Sequence, residues 1–303
     1  MERPHDLRFH TLDVFTERLF GGNPLAVVFG GERLNTAQMQ TIAREFNLSE
    51  TVFVLSPTRP DCLHRLRIFT PTQEMPFAGH PTVGTACLLS ELRLVPGGAE
   101  AAFSLEENIG AVPVCVRRAE GRATYAELTA ARPPAYGAPP PDNARLAAAL
   151  GLTAADLGRG AEQPRIASCG VPFLLVPLRA PELLAGVEPE ASTLRELLQG
   201  VGAQELYVYA HGYEPNELRA RMFAPALGIP EDPATGAAAV ALAGALGMEA
   251  QQDGTHEWLI HQGVEMGRPS QLHIAVDRSG GVVTAVRVGG YAVTVSEGIL
   301  RSA

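Results

Sequence analysis

The sequence predicts an α+β protein of two pseudo-symmetric domains, each a rolled, mostly antiparallel sheet around one central apolar helix. Three observations carry this: a loop that occurs twice, a helix apolar on every side after each copy, and a remainder made chiefly of short strand-like runs. The loop reads His80-Pro81-Thr82-Val83-Gly84-Thr85-Ala86 in the first half and Asp232-Pro233-Ala234-Thr235-Gly236-Ala237-Ala238 in the second. The copies agree at Pro, Gly and Ala and differ in the ionisable residue that leads each. Upstream, Arg67-Ile68-Phe69-Thr70-Pro71 answers Arg221-Met222-Phe223-Ala224-Pro225, and Gly22-Asn23-Pro24-Leu25-Ala26-Val27 answers Gly170-Val171-Pro172-Phe173-Leu174-Leu175. Between those blocks, Glu50-Thr51-Val52-Phe53-Val54 lies opposite Gln204-Glu205-Leu206-Tyr207-Val208. A period of roughly 150 residues is too long for a solenoid. An internal duplication into two domains is the simpler expectation, and 303 residues suffice for it.

Taken in order, Leu7 to Thr16 alternates apolar and polar residues before Gly21-Gly22, and Pro24 to Phe29 is a short apolar run closed by Gly30-Gly31, as a buried strand would be. Asn35 caps a predicted helix over Thr36 to Phe46. Strands are predicted at Thr51 to Leu55, Leu63 to Phe69 and Val112 to Arg117. Thr82 to Leu92 is a nearly all-apolar helix after the first loop. The stretch from Arg132-Pro133-Pro134 to Pro139-Pro140-Pro141 cannot continue a helix or a central strand, so the domains are placed at 1–131 and 132–282. In the second domain, Asp142 caps Asn143 to Leu150. Strands follow at Pro172 to Pro177, Glu205 to Ala210, Glu217 to Phe223, Leu272 to Val276 and Val282 to Val288, and Thr235 to Leu246 forms the second apolar helix. A helix apolar all round must be surrounded by protein, which places each one inside a wrapped sheet.

Composition excludes several classes. With 24 basic and 33 acidic residues the formal charge is −9, and no basic cluster could neutralise a run of phosphates, so nucleic acid is not expected as a partner. The N-terminus lacks the apolar core of a signal peptide, and the longest apolar run, Ala237 to Met248, is shorter than the ~20 residues of a membrane span. A cytoplasmic protein without membrane contact is expected. Cys62, Cys87, Cys115 and Cys169 are scattered, with no C-x-x-C pair and no histidine at ligand spacing, and read as small buried hydrophobes rather than as metal ligands or disulfides.

The starts of the two apolar helices are where chemistry is expected. A helix N-terminus offers unpaired N–H groups and a partial positive charge, which attract a carboxylate or phosphate. Two of them facing one another across a domain cleft would hold an anionic small molecule between His80 and Asp232. The plainer alternative makes Asp232 a helix cap and His80 a satisfied loop histidine. An ionisable residue at the corresponding place in both copies favours the binding reading. Glu50, at the entry of an apolar strand, is the third candidate, with a solvated strand-end glutamate as its bland alternative. The sequence blocks set Gln204 opposite it, which cannot titrate. Glu50, His80 and Asp232 together can carry a proton away and return it elsewhere.

These residues resemble a known family. The blocks Gly22 to Val27, Asn47-Leu48-Ser49-Glu50-Thr51-Val52-Phe53, Arg67 to Pro71, Phe77-Ala78-Gly79-His80-Pro81 through Ala86, Asp232 to Gly236, Gln262-Gly263, Gly267-Arg268-Pro269-Ser270, Gly289-Gly290 and Glu297-Gly298 occur in family order and cover nearly the whole chain. They look like the phenazine-biosynthesis PhzF-like isomerases. The resemblance implies a diaminopimelate-epimerase-like fold and a last segment, about 283–303, that returns to the first domain. It also implies a homodimer and catalysis without a cofactor. Glu50 matches the family's general acid/base, and His80 and Asp232 match residues that bind and polarise the substrate. Asn23, Ser49, Gly79, Thr235, Gly236 and Ala237 are expected to contact it. Similar racemases place a cysteine just before each helix; here those positions are Ala78 and Pro233, which excludes a two-thiol racemase. The family's second loop commonly reads Gly-Ser, whereas this chain has Gly236-Ala237 and lacks that hydroxyl.

The expected function is a cofactor-independent isomerase that moves a proton within a small carboxylate-bearing substrate. A non-catalytic binding protein that retains the cleft is the alternative, set apart by ligand-dependent deuterium exchange. Hydride transfer on a nucleotide lacks a G-x-G-x-x-G turn between a strand and a helix.

Overall fold

A computed structural model describes residues 6–301, so the segment read above for a leader, Met1–His5, lies outside the described residues. In chain order the first elements are β1 (Leu7–Val14), β2 (Asn23–Phe29), α1 (Thr36–Phe46), β3 (Glu50–Leu55), β4 (His64–Phe69), β5 (Glu74–Met75), α2 (Gly79–Glu91), β6 (Glu100–Glu107), β7 (Gly110–Arg117) and β8 (Thr124–Thr129). There follow β9 (Ala135–Tyr136), α3 (Asn143–Ala149), β10 (Arg165–Ser168), β11 (Pro172–Pro177), α4 (Ala191–Val201), β12 (Glu205–His211), β13 (Glu217–Ala224), β14 (Ile229–Asp232), α5 (Gly236–Glu249), β15 (Gly254–Gln262), β16 (Ser270–Ser279) and β17 (Val282–Leu300). The chain divides into two compact units. Unit one runs to Thr129 and takes back the chain from Gly289; unit two is Ala130–Val288.

In unit one, β1 lies antiparallel to both β2 and β17, from Leu7↔Leu300 to Val14↔Ala292 on the latter side. From β2 the pairing runs parallel to β3, antiparallel to β4 and parallel to β6, then antiparallel through β7 to β8. The parallel step from β2 to β3 needs a crossover, and α1 supplies it. Asn35 and Gln38 hold its start with a reciprocal capping box of 3.0 and 2.9 Å, and Asn47 ends it in the left-handed region at φ 51°. Met39 and Ala43 pack on Leu7, Val28, Phe53 and Phe69. On the other side, α2 is buried from Gly79 to Ser90 and touches β1, β2, β3, β7 and β8. The helix starts at Gly79 rather than at the predicted Thr82, which puts His80 and Pro81 in its first turn. Pro81 costs no helical hydrogen bond there, because first-turn N–H groups have no partner within the helix.

In unit two, β11 runs parallel to β12, β12 antiparallel to β13, and β13 parallel to β15, with β9 and β10 added antiparallel beside β11 and β16 beside β15. The helix α5, apolar but for its last residue Glu249, is buried along nearly its whole length against β9, β10, β11, β15 and β16. Leu146 and Leu150 from the α3 region and Leu194 and Leu198 from α4 cover Leu174, Val176, Leu206 and Val208 of the sheet. The mixed, strand-rich α+β class is therefore as expected. Several elements were not anticipated: β6, β8, β10, β14, β15 and α4. The final strand, predicted over Val282 to Val288, continues to Leu300.

Candidate active site

The site residues of unit one collect at the start of two parallel strands. Asn23 opens β2 and Glu50 opens β3; because the strands are parallel, with Leu25 opposite Glu50, both openings lie at one edge. The first turn of α2 comes to this edge and places His80 between them. Its Nε2 lies 3.2 Å from Glu50 Oε2, and its Nδ1 lies 3.3 Å from the Asn23 amide nitrogen. The ring thus lies among the Glu50 carboxylate, the Asn23 amide and the Pro24 carbonyl, which can accept from a ring N–H. Burial drives the His80 pKa down to about 3, opposed only in part by a hydrogen bond with the Pro24 backbone. The ring is therefore neutral at physiological pH, and its contact with Glu50 is not an ion pair. Ser49, half-buried, precedes Glu50, and Gly79 is the first helical residue. The α2 N-cap, Ala78, provides no side-chain cap, so the first-turn N–H groups of Gly79 and His80 remain available to an anion.

Behind that turn, the Thr82 hydroxyl lies 2.7 Å from the Ala78 carbonyl and 2.6 Å from Glu107 Oε1. It has one hydrogen for two acceptors. A protonated Glu107 resolves this by donating to Thr82, which then donates to Ala78, and burial indeed pushes the Glu107 carboxyl up to about 8. Sequence reasoning missed this residue.

In unit two, Asp232 ends β14 and is buried, at 7% exposure. It is not the cap of α5; Thr235 occupies that position and turns its hydroxyl away from the helix to donate to Asp232 Oδ2 at 2.5 Å. With no side-chain cap on α5, Gly236 and Ala237 start the helix with first-turn N–H groups available, as in α2. Gln262, fully buried at the end of β15, organises the loop. Its amide donates to the Asp232 carbonyl at 2.8 Å and to the Thr235 hydroxyl at 3.0 Å. Its Oε1 accepts from the Tyr207 hydroxyl at 2.9 Å and the Thr235 N–H at 3.2 Å. Next to it, Gly263 adopts φ +72°, and a Cβ there would stand 2.6 Å from the Pro233 carbonyl oxygen. Gln262 belongs to the Gln262-Gly263 block, which was the available signal for its importance.

One expectation is corrected by the strand register. The sequence blocks align Leu25 with Phe173 and Glu50 with Gln204. In the sheet, Leu25 pairs with Glu50, whereas Phe173 pairs with Glu205. Phe69 and Phe223 agree, standing opposite Thr51 and Leu206, the next residues along. The residue corresponding to Glu50 is thus Glu205, which can titrate. Gln204 is exposed one position earlier.

The architecture is strand-rich α+β, with a carboxylate set against a neutral imidazole at a helix start. The chain belongs to the family of phenazine-biosynthesis-like (PhzF) proteins, whose profile matches residues 12–298. An uncharacterized isomerase of Mesorhizobium japonicum is 42% identical over 294 residues, covering 95% of this chain and 96% of its own. The trans-2,3-dihydro-3-hydroxyanthranilate isomerase of Pseudomonas aeruginosa is 36% identical over 295 residues, covering 96% of this chain and 98% of its own. Among solved structures, a PhzF-family protein of Bacillus anthracis superposes with a TM-score of 0.87 at 26% identity, covering 98% of this chain and 99% of that one. Both relatives named from sequence are isomerases.

Proposed function

We propose that this protein is a cofactor-independent isomerase that moves a proton within a small carboxylate-bearing substrate by general acid–base catalysis. The observation that carries the reading is Glu50 set against a buried, neutral His80 at the uncapped start of α2. Glu50 takes a proton from an activated carbon. His80, unable to compete for that proton near neutral pH, offers an N–H to the negative charge that develops. The first turn of α2 holds the substrate carboxylate and the delocalised charge through backbone N–H groups, with Asn23 and Ser49 as polar neighbours. Glu50 or a second acid returns the proton to another carbon.

The test uses trans-2,3-dihydro-3-hydroxyanthranilate, the substrate named for the Pseudomonas aeruginosa relative, together with a panel of small carboxylic acids in deuterated water. Wild-type protein is expected to incorporate deuterium into at least one of them, and Glu50→Gln to lower that rate by ~10²–10⁴-fold while still binding. Full activity of Glu50→Gln on a turned-over compound would rule the mechanism out. Thermal stabilisation by ligands without exchange would instead make the protein a binder.

A further inference from the structure

The acid behind the first turn of α2 has no part in the mechanism above, yet its contacts lead to the peptide that the substrate carboxylate would meet. Glu107 closes β6, is 4% exposed, and its Oε2 has no hydrogen-bond partner among the described residues. A carboxylate buried with one bare oxygen is costly, whereas a neutral carboxylic acid needs one acceptor for its O–H. Thr82 Oγ1 is that acceptor, 2.6 Å from Oε1, and its own hydrogen goes to the Ala78 carbonyl at 2.7 Å. The ordinary first hydrogen bond of the helix, from the Thr82 N–H to the same carbonyl, is stretched to 3.4 Å. The Thr82 side chain therefore holds the Ala78 carbonyl more firmly than the helix does. Carbonyl and N–H of one trans peptide point in opposite directions, so a carbonyl fixed toward Thr82 aims the Gly79 N–H out of the helix start. Glycine, free to adopt either sign of φ, would otherwise let this peptide turn over.

We propose that Thr82 and Glu107 form a relay that positions the Gly79 N–H for the substrate carboxylate, and that the Glu107 proton keeps the relay set. The identity of the anion rests on the isomerase reading; the relay lies wholly within unit one. While Glu107 is neutral, its O–H donates to Thr82 and the Thr82 O–H donates to Ala78. When Glu107 gives its proton to water, the new carboxylate accepts from Thr82, the Ala78 carbonyl loses that bond, and a negative charge stands behind the place of the anion. Both changes weaken carboxylate binding. Burial raises the Glu107 carboxyl to about 8. Among the described residues no charged side chain faces it. Across the turn it stands opposite Gly110, which has no side chain. The adjacent Glu106 points to the other face, where it meets Thr58 and Arg65. On β4, His64 pairs with Leu105 and shares the Glu107 face, but burial lowers its pKa and keeps it neutral above 6.5. On α2, His80 and Cys87 are neutral and Glu91 stands at the far end.

Benzoate is the probe, because it carries a carboxylate and its binding does not depend on turnover. Its Kd is measured by calorimetry on the full-length protein at about pH 6.5 and about pH 9.5, either side of the Glu107 transition. In wild type the Kd is expected to rise about tenfold between them, the ratio that corresponds to one pKa unit. Glu107→Gln, which can donate to Thr82 but cannot ionise, should flatten that rise to less than about twofold. Thr82→Val, the same shape without the hydroxyl, should raise the Kd about tenfold already at the lower pH. Residues that only pack would move the Tm and leave both Kd values and their ratio unchanged. A Glu107→Gln protein that keeps the wild-type rise, or a Thr82→Val protein that binds as wild type does, overturns the proposal. So does a wild type that binds no benzoate at either pH. Should Thr82→Val not fold, the Glu107→Gln comparison decides alone. Kd values that follow the relay, with no deuterium exchange into any compound, would remove the isomerase reading and leave the relay standing. Exchange that depends on Glu50, with Kd values indifferent to both substitutions, would remove this inference alone.

Discussion

At Glu107, the last residue of β6, a carboxyl group buried behind the first turn of α2 keeps its proton up to about pH 8, whereas in the unfolded chain it would lose it near 4.5. The folded state therefore binds more protons between those values, and this group's contribution to stability falls as pH rises from 4.5 to 8. His80 works in the opposite sense: the unfolded chain takes up a proton near 6.5 that the folded ring refuses until about 3, so its contribution falls as pH drops through that window. Above 6.5 the buried carboxyls act alone. Glu107→Gln, which keeps the shape and can still donate to Thr82, should spare the protein roughly 2 kcal/mol of the loss between pH 6.5 and 8. Calorimetric Tm values at those two pH values check this; equal losses in both proteins would show that Glu107 is already ionised. None of this was legible in the sequence, because Thr82 and Glu107 stand 25 residues apart and meet only through the packing of α2 on its sheet. Glu50, His80 and Asn23 were legible, since each lies in a distinctive block. Glu205 was misread by one position, because matching apolar residues in two short strands tolerates a slip that hydrogen-bond register does not.

The elements that the sequence disclosed are those with a strong period or an unmistakable boundary. The two enclosed helices announce themselves because no polar face interrupts them, and α1 because Asn35 caps a stretch with apolar residues at helical spacing. β6, with Glu-Ala-Ala-Phe-Ser-Leu-Glu-Glu, and β15, with charged and aromatic residues mixed, carry no clean alternation. Their pairing is decided by the neighbouring strands. The helix α4 was readable and overlooked: Glu190 caps it, Gly202 ends it in the left-handed region, and Leu194, Leu197 and Leu198 line its buried face. At this scale Gly84 of α2 is the sensitive position. A Cβ there would lie 2.5 Å from Val14 Cγ2 and 2.7 Å from Leu25 Cδ2, so helix and sheet approach as closely as a hydrogen allows. Gly84→Val is expected to cost about 1–3 kcal/mol in denaturant unfolding, through overpacking. Because β2 and α2 carry Asn23 and His80, activity should drop as well. A variant as stable as wild type would mean that the helix can shift to accommodate the side chain.

For the molecule as a whole, the last strand matters more than its place at the end of the chain suggests. β17 supplies the antiparallel partner of β1 along its full length, and β1 in turn touches α2. A chain ending at Val288 would leave β1 with an open edge and unit one without a strand. Such a truncation is expected to abolish cooperative unfolding of unit one while unit two, whose residues are contiguous, retains protected amides in hydrogen exchange. Uniform protection in both units of the truncated chain would contradict this.

The same connection sets an order in time. Synthesis delivers Ala130–Val288 without interruption, so unit two has all its residues before unit one does, whereas unit one must wait with one edge of β1 open until Leu300 has emerged. Glu50 and His80, encoded ahead of unit two, therefore become a formed site after it: residues translated earlier are put to use later.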